Sequence, residues 1–342
     1  MKARDSGACD PPLADSYNEI SSNTTHPIKL RQYQQNCELI SECELPVVDL
    51  RGLRSCDRRE RQACVEAIAE ASTEWGFFQV LNHGISSELL SEIRREQIKL
   101  FKLPFEKKAS SRLLNDSYRW GTPTAISPRH FNWSEAFHVP LSKISEEGRN
   151  CYGEFNSLRG VMEKVAGAMS ELAGTLAGVL AENMGCSRKG FPESCNKSTC
   201  FLRLNHYPPC PLPGEVFGLM PHTDSDFLTI LCQDQVGGLQ LMKDTKWVAV
   251  KPNPDALIVN IGDLFQAWSN DVYRSVEHKV TTNAKMDRYS IAYFMCPSYE
   301  SAIGSCRKPS AYREFTFGEY RKQVQEDVKI VGQKVGLPRF RL

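Results

Sequence analysis

The sequence carries almost no excess charge of either sign. Its 42 Lys and Arg residues face 41 Asp and Glu residues, for a formal net charge of +1. No overall field therefore favours nucleic acid or an anionic membrane surface, and any partner preference must come from a local site. Also missing is any run approaching the roughly 20 apolar residues that a membrane-spanning helix requires. Residues 1–23 are polar and contain Asp5, Asp10 and Asp15. They lack both the apolar core of a signal peptide and the acid-poor character of a transit peptide. No Walker loop, Gly-x-Gly-x-x-Gly run or internal repeat is present, which argues against nucleotide-binding and array architectures. Thirteen cysteines occur, none in a C-x-x-C pair. An odd number cannot all pair within one chain, so reduced thiols in a cytosolic protein are expected, with nuclear entry left open.

What is present is enough apolar material, 41% of 342 residues, to bury a substantial core in one large domain or two. Residues 1–44 are rich in Ser, Asn, Asp and Pro and are expected to form a mobile arm, with a short helix possible over Leu30 to Leu39. Strands are expected at Pro46 to Leu50 and Phe77 to Leu81. Between them Cys64, Ile68 and Ala71 recur at helical spacing. Leu89, Leu90, Ile93, Ile98 and Phe101 suggest a second helix. The charges of Lys102 to Lys108 read as a solvated helix junction.

The longest periodic stripe, Leu158, Val161, Val165, Met169, Leu172, Leu176 and Val179, predicts an amphipathic helix from about Ser157 to Asn183. Laid against a sheet it would support a core; a coiled-coil seam is the competing use. After Gly185 the texture changes to short β-rich runs, beginning with Phe201 to Leu204 and ending with Tyr289 to Phe294. Turn signals such as Gly237-Gly238 separate them. This spacing indicates an antiparallel sandwich or barrel. The chain thus divides into an arm (1–44), an α/β region (45–150), a long helical support (151–196), a β-core (197–300) and a C-terminal helical segment (301–342).

Within the β-core, His222-Thr-Asp224 places two metal-ligating types at i and i+2, on one face of an extended segment. His278 lies on another expected strand, in Ser275-Val-Glu-His-Lys-Val280, and a closed barrel could deliver it as a third ligand. Two imidazoles and one carboxylate suit non-haem iron(II) with open positions opposite. Alone, His-x-Asp occurs often by chance. Ten positions after His278, Arg288-Tyr-Ser290 again places two polar side chains on one face, where a guanidinium and a hydroxyl could clamp a carboxylate. In Arg203-Leu-Asn205-His-Tyr207-Pro-Pro-Cys210, Asn205 and Tyr207 share a face before the prolines end the strand, and Tyr207 could donate to the same carboxylate.

Taken together, Trp75 to Gly84, Leu204 to Cys210, Pro221 to Asp224, His278 and Arg288 to Ser290 occur in the order of the plant 2-oxoglutarate-dependent dioxygenases, which the chain resembles over nearly all of Leu45 to Tyr320. One departure is His206, where many members carry Tyr. The resemblance implies a double-stranded β-helix (jelly-roll) core, mainly β with α. It also implies iron(II) held by His222, Asp224 and His278, and 2-oxoglutarate and dioxygen as cosubstrates, with ascorbate as a supporting reductant. The remote carboxylate of 2-oxoglutarate would meet Arg288, Ser290 and Tyr207, with Asn205 beside them. Donors to the far imidazole nitrogens are also expected.

More narrowly, Ser117-Tyr-Arg-Trp-Gly121 followed by Asn132-Trp-Ser-Glu-Ala-Phe-His138 resembles the gibberellin 2-oxidases, especially the class acting on twenty-carbon precursors. The implied reaction is 2β-hydroxylation of a gibberellin-like diterpenoid acid, with no nucleic-acid or membrane partner. Protein partners are not legible. Arg119 and Trp120, then Tyr118 and Trp133, are the candidate substrate contacts; packing of the N-terminal region onto the barrel is the alternative use of the tryptophans. A gibberellin 20-oxidase, or a flavonoid or specialised-metabolite hydroxylase, would share the same core. A non-catalytic metal-binding barrel would close all metal positions, which the Arg288 and Ser290 clamp argues against. His83 and His138 read as structural, and Cys210 has no neighbour that would activate it.

Overall fold

The computed structural model describes residues 9–23, 40–110, 114, 116–125, 127–145, 152–186, 195–196 and 198–342. The possible helix over Leu30 to Leu39 lies outside them. Helix α1 (Leu13–Asn23) opens the described chain, followed by strands β1 (Glu42–Cys43) and β2 (Val47–Asp49) and helices α2 (Arg51–Arg54) and α3 (Arg58–Glu74). Strand β3 (Phe77–Leu81) leads to α4 (Ser87–Phe101) and α5 (Phe105–Lys108), then β4 (Tyr118–Trp120), β5 (Glu135–Pro140), α6 (Leu141–Ile144) and α7 (Asn156–Asn183). The second half supplies β6 (Phe201–Tyr207), β7 (Phe217–His222), β8 (Leu228–Gln233), β9 (Leu239–Lys243), β10 (Lys246–Val250) and β11 (Leu257–Ile261). After α8 (Asp263–Trp268) come β12 (His278–Thr281), β13 (Arg288–Met295), the short pair β14 (Ala302–Ile303) and β15 (Phe315–Thr316), and α9 (Phe317–Val331).

Helix ends are set by local chemistry. Asp57 and Ser86 cap α3 and α4 through side-chain oxygens that accept from Arg59 N and Leu89 N. Thr316 and Glu319 form a capping box on α9, which Gly332 ends with φ 82°.

Two sheets carry the core. One runs β1-β10-β9-β12-β7; the other runs β2-β3-β11-β8-β13-β6-β5-β4. Most neighbours are antiparallel, the parallel pairs being β1 with β10 and β2 with β3. The 28 residues of α7 bury Leu158, Val161, Val165, Met169, Leu172 and Leu176 and pack against α3, α4, β8 and β13. The stripe is therefore used against a sheet and neighbouring helices. Burial of these side chains contributes roughly 1.5–3 kcal/mol each before the entropy of ordering them is counted.

Two expectations change. Residues 13–23 of the supposed arm form a helix, because Leu13, 2% exposed, together with Tyr17 and Ile20 finds apolar partners in Phe131, Trp133 and Val216. At the arm's other end β1 pairs with β10, so the core begins before residue 45. Lys108 is also not solvated. It is fully buried, and its Nζ lies 2.7 and 2.6 Å from the two carboxylate oxygens of Glu135. The 3.6-residue period of α5 turns this one lysine inward from a charged segment. The described cysteines are all free, and no helix among the described residues is long and apolar enough to cross a membrane.

Candidate active site

A cavity of about 310 Å³ lies between the two sheets, lined by Leu219, His222, Leu239, His278 and Val280 from one and by Phe201, Arg203, Asn205, Tyr207, Arg288 and Ser290 from the other. The pairing of β12 with β7 sets His278 opposite His222. Asp224 follows in the loop after β7. One ligand atom from each of the three lies within 4.8 Å of the others. Asp224 Oδ1 is 3.7 Å from both imidazole Nε2 atoms.

The surroundings fix which atoms point inward. His222 Nδ1 lies 2.8 Å from Met220 O, and His278 Nδ1 lies 3.1 Å from Val276 O. A carbonyl can only accept, so each Nδ1 carries a proton, and Nε2 is the ring nitrogen left to face an ion. Asp224 Oδ2 accepts from Asn260 Nδ2 and Thr229 Oγ1, both at 2.7 Å, which leaves Oδ1 for an ion. Burial opposes ionisation of Asp224. The two imidazoles and these hydrogen bonds outweigh it, and the carboxyl is held below the usual range. Burial, reinforced by the neighbouring imidazole, pushes His222 down. Thr229 Oγ1 also lies 2.9 Å from Asp226 Oδ2. One hydroxyl proton cannot serve two carboxylates. Burial and the charge of Asp224 push the Asp226 carboxyl well up, so Asp226 carries the proton of the second contact.

Beside this triad, the β13–β6 register pairs Arg288 with Tyr207 and Ser290 with Asn205. Arg288 is 2% exposed. Its Nη2 donates to Gln233 Oε1 at 2.9 Å, while Nε and Nη1 are buried without a partner among the described residues. Buried guanidinium donors left open are a demand for an anion. The guanidinium carbon lies 4.9 Å from the Tyr207 ring centroid. Asn205 Nδ2 donates to Ser290 Oγ at 3.2 Å. A Cβ on Gly218 would stand 2.8 Å from Tyr207 Cδ1, so only glycine lets β7 approach this closely. The donor set fits iron(II), and the orphaned guanidinium fits a dicarboxylate cosubstrate.

Two family models match: the 2OG-Fe(II) oxygenase superfamily over residues 198–297, and the non-haem dioxygenase in morphine synthesis N-terminal region over 45–154. The chain is 57% identical to gibberellin 2-beta-dioxygenase 6 of Oryza sativa subsp. japonica, over 97% of this chain and 96% of that one. The chain belongs to the 2OG-Fe(II) oxygenase superfamily. It is 55% identical to gibberellin 2-beta-dioxygenase 8 of Arabidopsis thaliana, over 97% and 98% of the two chains. Its fold matches the crystal structure of JOX2 in complex with 2OG, Fe and JA, with a TM-score of 0.71 and 33% identity, over 83% and 85% of the two chains. This oxygenase therefore uses iron(II) and 2-oxoglutarate.

The four candidate substrate contacts do not reach the oxygenase cavity. Tyr118 is buried with its hydroxyl on Glu135. Arg119 points outward, donating to Asp116 O and Tyr118 O at 2.7 Å. Trp120 packs edge-on against Phe105, and Trp133 is buried beside Phe131 and Leu13. Tyr118, Trp120 and Trp133 pack β4, β5 and α1 against one another, whereas Arg119 faces solvent. Sequence reasoning missed Asn260, Thr229 and Gln233, which hold the polar side chains in place, and Arg321 and Lys334, which reach the cavity from the C-terminal segment. Arg203, two residues before Asn205, was accessible through the period of a strand. The others carry no local signal.

Proposed function

We propose that the oxygenase couples oxidative decarboxylation of 2-oxoglutarate to 2β-hydroxylation of a gibberellin or a twenty-carbon gibberellin precursor. The observation that carries this reading is 57% and 55% identity, over nearly the whole length, to two gibberellin 2-beta-dioxygenases. In it His222, Asp224 and His278 hold the iron, and Arg288, Ser290 and Tyr207 receive the remote carboxylate of 2-oxoglutarate, with Asn205 bracing Ser290. When bound, the iron supplies the oxidising chemistry: dioxygen yields succinate and carbon dioxide from 2-oxoglutarate and one oxygen atom for a substrate C–H bond.

The chain's own part is positional. Met220 O and Val276 O hold the imidazole tautomers, Asn260 and Thr229 orient Asp224, and Gln233 aims the guanidinium of Arg288. Leu219, Leu239, Val280 and Phe294 make walls that exclude water. Incubation with a gibberellin panel, iron(II) and 2-oxoglutarate tests the reading: 2β-hydroxylated product with stoichiometric succinate is expected. Oxidation at carbon 20, or turnover of flavonoids alone, would overturn it.

A further inference from the structure

Along β6 the side chains of Arg203, Asn205 and Tyr207 enter the cavity, while Arg288, Ser290, Ala292 and Phe294 enter it from β13. The register sets Tyr207 against Arg288, Asn205 against Ser290, Arg203 against Ala292 and Phe201 against Phe294. The two strands thus form a graded wall. At roughly 3.3 Å per residue, Arg203 lies about 13 Å along β6 from Tyr207. Along the strand it lies four residues from the position paired with Arg288, and the small Ala292 is the residue opposite it.

Arg321 enters the same cavity from α9, its guanidinium carbon 5.9 Å from the Phe317 ring centroid. Among the described residues no carboxylate pairs with either arginine. Arg203 donates through Nε to the neutral amide oxygen of Asn205 at 2.8 Å. The remaining cations of the cavity are already committed. Lys334 Nζ donates to Thr223 O and Ser225 Oγ and contacts Asp263 Oδ2 at 2.8 Å. Arg288 has its open donors in the 2-oxoglutarate clamp. Burial, with the charges of Arg203 and Arg321, pushes His138 down to about 3, so this ring adds no third charge. It stacks on Phe201 at 3.8 Å between ring centroids, and Phe201 stacks on Phe294 at 4.4 Å. Two guanidinium groups without a carboxylate partner among the described residues line one cavity beside an aromatic slab, and an acid with a rigid hydrocarbon body satisfies both features.

We propose that Arg203 and Arg321 form the carboxylate subsite for the molecule being oxidised, an apolar carboxylic acid whose hydrocarbon lies on the Phe201–Phe294 stack. Its reacting carbon is then directed toward His222, Asp224 and His278. The proposal rests on the functional reading above and deepens it by naming the end of the substrate that is recognised.

The test measures substrate-stimulated succinate formation by the wild type and by Arg203→Gln, Arg321→Gln and the corresponding Lys variants. The panel contains gibberellins and other apolar carboxylic acids, each as free acid and methyl ester, with neutral flavanones. A hydrogen-bonded charge pair corresponds to roughly tenfold to hundredfold in half-saturation. The wild type should prefer acid over ester by at least about tenfold, and each Gln variant should reduce that preference to about twofold or less. Half-saturation for 2-oxoglutarate should stay unchanged in the Arg321→Gln variant, and urea unfolding of both Gln variants should match the wild type, which distinguishes a lost subsite from a misfolded barrel. The Lys variants should restore part of the preference. Equal use of acid and ester by the wild type, turnover confined to neutral compounds, or Gln variants that keep the preference would each overturn the subsite. If non-gibberellin acids are the ones oxidised, the gibberellin reading fails while the acid-to-ester ratio still decides the subsite.

Discussion

Gln233 Oε1 accepts from Arg288 Nη2 at 2.9 Å, and this contact decides which two guanidinium nitrogens remain open. The backbone oxygen of Gln233 in turn accepts from Arg94 Nη2 at 2.8 Å, so α4 steadies the strand that carries the amide. Replacement Gln233→Leu frees the guanidinium to rotate while leaving its charge in place. Half-saturation for 2-oxoglutarate should rise about tenfold, since hydrogen bonds to charged groups contribute roughly 1.5–3 kcal/mol. Iron(II) affinity should not change. Anaerobic titration of the iron-loaded protein with 2-oxoglutarate, followed by its visible charge-transfer band, reads the first, and competition for iron(II) against a coloured chelator reads the second. An unshifted titration would show that Arg288 is held by its strand alone.

Asp224 depends on its two donors in the same way. Asn260→Ala and Thr229→Val each remove one hydrogen bond from Oδ2 and let the carboxylate rotate. Loss of such outer contacts lowers metal affinity by about tenfold to hundredfold. Competition for iron(II) against a coloured chelator reads the change. Affinity equal to wild type in both variants would remove this role.

The buried pair Lys108–Glu135 makes a stability prediction. Both side chains are inaccessible, and Glu135 also contacts His206 Nδ1 at 2.7 Å and the Tyr118 hydroxyl. Lys108→Met strands a carboxylate in the core and should cost roughly 3–5 kcal/mol in urea unfolding. Adding Glu135→Gln should recover part of that loss, because the uncompensated charge is gone. A single variant within about 1 kcal/mol of wild type would mean that His206 and Tyr118 suffice.

His206 gives a pH dependence of defined sign. Burial works against its charged form, but the hydrogen bonds and charges of Glu135 and Asp287 outweigh it and hold the ring above its ordinary value of 6.5. The folded state therefore binds the proton more tightly than the unfolded chain. The resulting stability is complete below about pH 6.5 and is lost as pH rises through the folded value. Unfolding free energy measured from pH 6 to 9 should fall more steeply for the wild type than for His206→Tyr. Parallel curves would contradict this linkage.

The strands and the α7 stripe were legible because a side chain's face follows from a period of 2 or 3.6. The same rule marked His222-x-Asp224 and Arg288-x-Ser290 as paired groups. It could not say that Tyr118 turns inward to Glu135 while Arg119 turns to solvent, because a period identifies residues that share a face and not which face the core covers. Nor could it foresee that residues 13–23 fold against Phe131 and Trp133, since their partners lie more than a hundred positions away.

By itself the sequence determined the element types, the pairs of polar side chains with common faces, and the family whose order those motifs follow. Only the tertiary structure decided that His278 lies opposite His222, that Asn260, Thr229 and Gln233 leave chosen atoms open, and that Arg321 and Lys334 return to the cavity from the C-terminal segment. The division has a physical cause. Local periodicity is written in neighbouring residues, whereas strand order and register are set by packing the whole core at once.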